Sequence, residues 1–274
     1  MTGPVSLQLG KDQGDSRLSY RRRQILSSAG LARPRIALEV GAFDNPTVRA
    51  RDGFDVRYAD YFSAAELREM HAANPRRDPA RIVEVDYVIK GPRLSPFIRE
   101  EVDLLVANHV VEHLPDPIGW LRDVERFCSA SAAIFLAVPD QRYTFDYLKR
   151  PSDAIELVAA HEQGKAAPDP YDIARMRWLH TRVDAAALWQ GADPPVPPLP
   201  APRRLRELLE QSRAQAAQGY TDVHCTFYTS DSFVRIFDEL HRSGYIAWEV
   251  ELLQDVDPGG NEFCVLLRRA SAAP

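Results

Sequence analysis

The chain has few cysteines, no excess of basic residues and no long apolar run. Its 274 residues include Cys128, Cys225 and Cys264, which lie far apart and form no CxxC pair. An odd number of widely spaced cysteines argues against a disulfide framework and against a zinc knuckle. The 34 basic and 39 acidic residues give a formal charge of -5. Because this balance creates no field that attracts a polyanion, we expect no nucleic-acid partner.

Membrane and export signals are also missing from the sequence. No stretch approaches the roughly 18 apolar residues that cross a bilayer, and residues 1–16 lack the apolar core of a signal peptide. With 45% hydrophobic and 27% charged residues, the composition is typical of a globular protein. The sequence therefore predicts a cytoplasmic protein without a membrane partner.

Short apolar runs alternate with helical patterns along most of the chain. The predicted strands are 36–40, 55–60, 82–86, 102–107, 133–138, 245–253 and 262–268. Helix-length connections separate the first five strands, which is typical of βαβ units and a parallel sheet. The turn between the last two strands is too short for a parallel crossover, so they are antiparallel. We predict an α/β fold with a Rossmann-like parallel sheet closed by an antiparallel C-terminal hairpin.

The order of these patterns predicts three kinds of segment. Residues 1–15 are polar and are expected to form a flexible tail, whereas 16–139 and 229–270 form the core. Residues 140–228 interrupt the alternation with helical patterns and the Pro-rich stretch 194–202, which is too stiff and donor-poor for a core strand. We expect this insertion to form a helical cap over the site or a homodimer contact.

The helical patterns can be placed along the chain. The predicted helices cover 16–30, a segment capped by Ser63, a segment from Pro117 whose apolar stripe reaches Cys128, 152–163, 170–190, 203–218 and 230–243. Glu66 follows Ser63 at the third position, which is the arrangement of a capping box.

The first predicted strand ends in Glu39 and is followed by Gly41 and Ala42. A dinucleotide fingerprint needs three glycines to admit a pyrophosphate, and this loop has one, so a nicotinamide dehydrogenase is disfavoured. An acidic residue before a glycine turn resembles the first motif of class I S-adenosylmethionine-dependent methyltransferases. The resemblance implies that Glu39 and Asp44 attract the ammonium and sulfonium charges of that cofactor. An ordinary turn from strand to helix is the alternative.

Acidic residues also stand at the ends of the next two predicted strands. Asp60 lies 21 residues after Glu39 (60 - 39), where a carboxylate can accept both ribose hydroxyls. Tyr61 follows and could stack on adenine. Asp86 stands beside Tyr87 at the position where these methyltransferases place an acid for the adenine amino group. A turn residue is the alternative for Asp86.

The fourth predicted strand runs into the segment from Asn108 to Pro117, NHVVEHLPDP. This segment resembles small-molecule methyltransferases of the ubiquinone-biosynthesis and sugar-modifying type. Residues 137–146 and 224–229 are similar to methyltransferases of bacterial polysaccharide and glycosylation clusters. These resemblances imply S-adenosylmethionine as cofactor, contacts from Asn108 and His109, and a small hydroxylated acceptor, a sugar or oligosaccharide.

The same segment raises the question of a metal. His109, Glu112 and His113 formally match an inverted zinc-protease motif, but a strand enters the motif and prolines follow it, so the helix that such a site needs is missing. Ubiquinone-type O-methyltransferases bind a divalent ion through Glu-x-x-Glu-His. Glu112 and His113 match two of those positions and His109 replaces the first glutamate, which weakens the case for magnesium. Local hydrogen bonds that hold the loop are the alternative.

A hydroxyl acceptor needs a base, and histidine titrates near neutral pH. The sequence offers His109 first and His224 second, with Asp222 or another acid orienting His224. Two rival functions remain open. One is a catalytically silent protein that binds or scaffolds through S-adenosylmethionine, and the other is a methyltransferase acting on a phenol or an amine.

Overall fold

A computed structural model describes residues 6–11, 15–53, 55–75, 77–194, 196 and 204–269. The strands are β1 (Ile36–Val40), β2 (Asp55–Asp60), β3 (Tyr87–Val88), β4 (Val102–Asn108), β5 (Cys128–Pro139), β6 (Trp248–Gln254) and β7 (Glu262–Arg269). The helices are α1 (Arg17–Ser28), α2 (Ala64–His71), α3 (Pro117–Val124), α4 (Ala154–Glu162), α5 (Pro170–Trp178), α6 (Ala185–Trp189), α7 (Arg204–Ala216) and α8 (Ser230–Arg242). None of these helices has the length and apolar character that crossing a bilayer requires.

All seven strands form one sheet in the order β3-β2-β1-β4-β5-β7-β6. The first five strands in this order are parallel, and β7 runs antiparallel to both β5 and β6. The predicted Rossmann-like sheet with an antiparallel C-terminal hairpin is confirmed. Because β1 and β4 are neighbours while their connections leave in opposite directions, a crevice opens at their carboxyl ends. The polar residues that follow β1, β2 and β4 therefore share one edge of the sheet.

Apolar clusters cover both faces of the sheet. On one face Ile118 and Leu121 of α3 and Phe233 and Phe237 of α8 pack with Trp248. The residues of the cluster on the other face include Leu26 of α1, Leu104 and Phe135. Strand β5 lies between these layers and is buried along most of its length, as expected of a central strand.

The predicted N-terminal tail is packed where it is described. Leu7 is 1% exposed and Leu9 is 5% exposed, and both belong to the cluster that contains Leu26. The backbone N–H of Leu7 donates to the carbonyl of Leu31 over 2.8 Å. The expectation of a flexible tail is therefore wrong for residues 6–11, because alternate apolar side chains are buried there. Residues 1–5 and 12–14 lie outside the described residues.

Most predicted helices form, with local differences. The side chain of Ser63 accepts from the N–H of Glu66 in a capping box that begins α2. Cys128 starts β5 instead of extending the stripe of α3. The pattern over 170–190 is two helices, since α5 ends at Trp178 and Asp184 caps α6. Of the Pro-rich stretch 194–202, residues 195 and 197–202 lie outside the described residues.

The prediction of a strand at 82–86 is wrong. Ile82 packs against Ala64 and Leu67 of α2 instead of joining the sheet. The carboxylate of Asp86 accepts from the N–H of Tyr58 over 2.8 Å, and β3 begins only after it. A side chain that takes a backbone donor competes with ladder formation, which delays the strand. Asp86 therefore precedes β3 instead of ending it.

Helix α1 is fastened to the sheet by a buried ion pair. The guanidinium of Arg22 donates to Glu262 at the start of β7, over 2.9 Å from Nε and 2.5 Å from Nη2. The two side chains are 9% and 1% exposed. Removing one member of a buried pair leaves the other charge uncompensated, which costs far more than losing a surface pair.

We expect Arg22→Ala to lower the free energy of unfolding by about 3 kcal/mol or more, measured by urea denaturation at pH 7. Arg242→Ala is the matched control, because its pair with Asp238 is mostly exposed, and it should change stability by less than about 1 kcal/mol.

Arg22 and His109 outweigh the effect of burial and lower the pKa of Glu262 to about 2 from 4.5. The stability that this shift contributes is present above pH 4.5 and is lost as the pH falls towards 2, so the deficit should shrink there. Equal deficits in both variants would contradict this role of the pair.

Candidate functional site

Two cavities lie side by side at the carboxyl edge of the parallel strands. The first, called here the apolar cavity, has a volume of about 450 Å³ and includes Asp60, Ile89 and Trp120 in its lining. The second, called here the histidine cavity, has a volume of about 610 Å³ and includes His109 and His224. His113 lines both. Ligands in the two cavities would therefore meet at the side chain of His113.

Asp60 gives the apolar cavity its carboxylate. The residue ends β2 and is followed by a turn in which its Oδ1 accepts from the N–H of Phe62 over 3.0 Å. Burial raises the pKa of Asp60, although the N–H groups of Phe62 and Tyr61 lower it. A partly desolvated carboxylate gains from hydrogen-bond donors supplied by a ligand. Asp60 therefore lines a cavity at the carboxyl edge of the sheet, and its contact with a cofactor stays a prediction.

Tyr61 also lines the apolar cavity, but its ring has a protein partner. It stacks on Tyr220, with centroids 4.8 Å apart and an interplanar angle of 23°. The ammonium group of Lys90 lies 5.2 Å from the centroid of the same ring. The apolar side chains Ile89, Leu94 and Trp120 supply much of the remaining lining. These apolar residues, which sequence reasoning missed, are better placed than Tyr61 to cover a planar ligand.

Glu39 is not presented to either cavity. Its carboxylate is fully buried and accepts the N–H groups of Thr47 and Val48, at 2.9 and 3.0 Å. Asn108 donates to the same carboxylate over 3.2 Å. Burial raises the pKa of Glu39 to about 7, although those backbone donors lower it. The expected direct attraction between Glu39 and a cationic ligand is therefore wrong, because the carboxylate anchors the loop after β1.

The loop after β1 differs from the expectation in a second way. Gly41 adopts a positive φ of 69°, and Ala42 is buried beside it. The described residues between β1 and β2 contain a short 3-10 turn, Ala50–Asp52, and no α-helix. Asp44, which was expected to attract positive charge, pairs with Arg77 over 3.1 Å. Gly41 and Ala42 thus shape the loop at the crevice without lining the two cavities described above.

Two of the predicted cofactor residues lie away from the cavities. Asp86 lies just before β3, where its carboxylate accepts from the N–H of Tyr58. Tyr87 donates its hydroxyl hydrogen to Glu100. Neither residue lines either cavity, since β3 starts five residues later than the apolar pattern indicated, and their contacts with a cofactor stay predictions. Ile89 and Lys90 occupy the ligand edge after β3 instead.

Asn108 ends β4 beside the crevice, and His109 follows it. The amide of Asn108 donates to Glu39 and to Thr47, and its Oδ1 is buried with no hydrogen-bond partner among the described residues. His109 has a positive φ of 53°, a conformation that costs energy and occurs at functional sites. Its N–H donates to the carbonyl of Ala137 over 2.8 Å, which holds the residue in place.

Carboxylates contact both ring nitrogens of His109. Nε2 lies 2.8 Å from Glu262 and Nδ1 lies 3.3 Å from Glu112. Burial opposes the imidazolium charge, but Glu112 and Glu262 outweigh it and raise the pKa of His109 to about 9. A general base must offer an unprotonated nitrogen to its substrate. His109 therefore does not have the geometry of a base, contrary to the first choice made from sequence.

A short turn after β4 places Glu112 and His113. The insertion holds the 3-10 turn Val111–His113 in place. Cys225 and Thr226 both donate their N–H groups to the carbonyl of Glu112, over 2.7 and 3.2 Å. This backbone contact sets His224 against the turn. The rings of His113 and His224 pack edge to face, with centroids 4.5 Å apart. The insertion and the core thereby meet at one cluster of side chains.

His224 is oriented by a buried acid. Its Nδ1 lies 2.6 Å from Asp146, and the ammonium group of Lys149 contacts the other oxygen of that carboxylate. His224 and Lys149 outweigh burial and lower the pKa of Asp146. Asp222, the orienting acid named from sequence, instead lies 2.8 Å from Nδ1 of His113. Asp146 is 78 residues from His224, so no local pattern could have revealed their contact.

Comparisons with known proteins complete the description of the site. No protein-family model matches the chain, and no curated protein matches it. Solved structures with similar backbones include the CcbJ methyltransferase from Streptomyces caelestis, at 9% identity, with 96% of this chain and 99% of that chain covered and a TM-score of 0.45. The glycopeptide N-methyltransferase MtfA is 15% identical, with 95% and 93% covered and a TM-score of 0.44.

A third similar structure is an S-adenosylmethionine-dependent methyltransferase from Aquifex aeolicus. It is 12% identical, the match covers 91% of this chain and 89% of that chain, and the TM-score is 0.44. At these identities no residue of those proteins can be equated with a residue of this chain.

Proposed function

We propose that the protein is an S-adenosylmethionine-dependent methyltransferase that acts on a hydroxyl group of a small acceptor, a sugar or oligosaccharide. The observation that carries the proposal is the pair of adjoining cavities. One is apolar with a carboxylate at its edge, the other is lined by histidines, and His113 belongs to both. Such a pair suits a nucleoside cofactor next to a polar acceptor, and it lies where ligands bind in open α/β sheets.

The residues of the apolar cavity fit this cofactor. Asp60 can accept the two ribose hydroxyls, while Ile89 and Trp120 can enclose adenine. Asn108 lines neither cavity, although its buried Oδ1 has no hydrogen-bond partner within the described ranges, so its contact with the cofactor stays a prediction. The bound cofactor supplies an electrophilic methyl group on a sulfonium sulfur. The chain's own residues hold it, exclude water and orient the acceptor.

The insertion supplies the acceptor side in this proposal. Residues 140–228 act as a helical cap, and they contribute Tyr143, Phe145, His180, Arg182 and His224 to the histidine cavity. Aromatic rings beside hydrogen-bonding side chains suit a ring that has both C–H and O–H groups. The predicted homodimer stays a prediction.

His224 takes the place of His109 as the histidine that acts on the acceptor hydroxyl. Its Nδ1 is held by Asp146, which leaves Nε2 for the cavity that His224 lines. A carboxylate on one nitrogen fixes the tautomer and makes the other nitrogen more basic. Nε2 can serve either as a base or as the ligand of an ion that acidifies the hydroxyl. In both cases His224 promotes loss of the hydroxyl proton.

Asp60→Ala should weaken binding of S-adenosylhomocysteine by about 1.5–3 kcal/mol, because hydrogen bonds to a charged group are lost. Isothermal titration calorimetry measures this directly. Asp55→Ala is the matched control, since Asp55 is an exposed acid at the opposite end of β2, and it should bind like wild type. S-adenosylhomocysteine should raise the melting temperature and NAD should not. Unchanged affinity in Asp60→Ala would remove Asp60 from the cofactor site.

Incubation with S-adenosylmethionine and a panel of hydroxylated sugars, phenols and amines should yield a methylated sugar. Mass spectrometry detects the product by its added methyl group, and omission of S-adenosylmethionine is the control. Methylation of a phenol or an amine alone would contradict the proposed acceptor class. Binding of S-adenosylhomocysteine without methylation of any compound would favour the catalytically silent rival.

His224→Gln should lower kcat for the acceptor found in that panel by about 10²–10⁴-fold, which is the usual contribution of a placed proton-transfer group. Asp146→Asn should lower kcat in the same direction, because the imidazole loses its orienting carboxylate. Affinity for S-adenosylhomocysteine should stay within about twofold of wild type in both variants. His241→Gln on α8, whose side chain contacts the carbonyl of Ile246, is the control. Near-wild-type kcat in His224→Gln would show that this histidine does not promote proton loss.

A further inference from the structure

Three side chains from the core and the insertion converge at the wall between the two cavities. Glu112 and His113 come from the turn after β4, and His224 comes from the segment that precedes α8. One potential ligand atom from each lies within 4.8 Å of the other two. The hydrogen bonds from Cys225 and Thr226 to the carbonyl of Glu112 hold the two segments together. The cluster is therefore preformed by backbone contacts and does not depend on a ligand to assemble.

A carboxylate lies near Nδ1 of each imidazole of the cluster, but only one of the two contacts is a hydrogen bond. Nδ1 of His224 is hydrogen-bonded to Asp146 over 2.6 Å, whereas Nδ1 of His113 lies 2.8 Å from Asp222 without hydrogen-bond geometry. A carboxylate on the outer nitrogen is the usual second partner of a histidine that binds a metal, because it directs the lone pair of Nε2 inwards. Nε2 of His113 faces Glu112, 3.9 Å from Oε1.

Glu112 is the buried acid of this cluster. Its side chain is 1% exposed, and neither carboxylate oxygen has a hydrogen-bond partner in the described part of the chain. His109 approaches Oε1 to 3.3 Å and contributes positive charge without forming a hydrogen bond. The neighbouring imidazoles compensate the charge, but both oxygens still lack a hydrogen-bond donor, and a bound cation would give them a direct partner.

We propose that Glu112, His113 and His224 bind one divalent transition-metal ion at the wall shared by the two cavities. Two imidazoles and one carboxylate favour ions such as Zn²⁺, Co²⁺ or Mn²⁺ over Mg²⁺, which prefers oxygen ligands alone. Three protein ligands leave at least one position open for another ligand. The third ligand comes from the insertion, and not from position 109 as the spacing of the sequence motif indicated.

The role of this ion rests on the proposed methyltransferase function. An acceptor hydroxyl bound in the open position loses its proton to solvent water more easily, because the ion stabilises the alkoxide. The alkoxide oxygen then forms the bond to the methyl carbon, and the sulfonium sulfur takes the electron pair of the broken C–S bond. His224 acts in this scheme as a ligand, and Asp146 positions its imidazole.

Binding of Co²⁺ tests the site without any measurement of turnover. Tag-free full-length protein is treated with a chelator, and Co²⁺ is added while calorimetry and visible absorption are recorded. We expect one ion per chain and absorption bands of a coordinated ion. The variants Glu112→Gln, His113→Gln and His224→Gln should each weaken Co²⁺ binding by at least about tenfold. His180→Gln is the matched control, since His180 lines the same cavity and stacks on Phe145, and it should bind Co²⁺ like wild type.

Binding of S-adenosylhomocysteine to each variant separates a lost ion site from a lost fold. The three ligand variants should retain this affinity while they lose Co²⁺. A variant that loses both is replaced by the matching alanine variant, and loss of Co²⁺ with retained S-adenosylhomocysteine affinity supports the site. Absence of stoichiometric Co²⁺ binding to wild type, or unchanged Co²⁺ affinity in all three variants, overturns it. Co²⁺ binding without S-adenosylhomocysteine binding would leave the ion site standing and contradict the proposed function.

Discussion

The arrangement of the site depends on the burial of one carboxylate, that of Glu112. Its backbone carbonyl receives the returning segment of the insertion, and its side chain is almost inaccessible to solvent. Because a buried negative charge must be compensated, positive or polar groups have to surround it. Three imidazoles do so, from His109, His113 and His224, and together they outweigh burial and lower the pKa of Glu112. The histidines at this edge of the sheet are therefore one electrostatic unit.

A chain of ion pairs connects these histidines to helix α1. Arg22 of α1 binds Glu262, Glu262 contacts Nε2 of His109, and Nδ1 of His109 faces Glu112. Each member is at least half-buried, so the interactions are screened little by solvent. The N-terminal helix thus helps to hold Glu262 against His109. Burial and Arg22 lower the pKa of His109, and the carboxylates of Glu112 and Glu262 outweigh them.

Sequence reasoning predicted the sheet, and the position of Asp60 at its carboxyl edge, because both depend on short-range patterns. Strand periodicity is local, and parallel strands place the residues after their carboxyl ends at one edge. Asp86 was misplaced because its side chain binds the backbone of Tyr58 and delays β3, an effect that apolar spacing does not encode. The contact of Glu39 with a ligand is wrongly predicted because the sequence pattern does not show which backbone N–H groups a buried carboxylate will bind. The contact of His224 with Asp146 depends on how the insertion folds back, and no spacing in the sequence specifies it.

Charge placement around the two cavities matches the demands of the proposed reaction. Methyl transfer removes positive charge from sulfur, so a carboxylate against the sulfonium would stabilise the reactant more than the transition state. Glu39 binds the backbone of its own loop and Asp44 pairs with Arg77, so neither carboxylate faces the two cavities, and Asp60 is assigned to the ribose only in the proposed function. On the acceptor side an uncompensated Glu112 would oppose ionisation of a nearby hydroxyl. The imidazoles, and the cation that we infer beside them, reverse the sign of that local potential and favour the alkoxide.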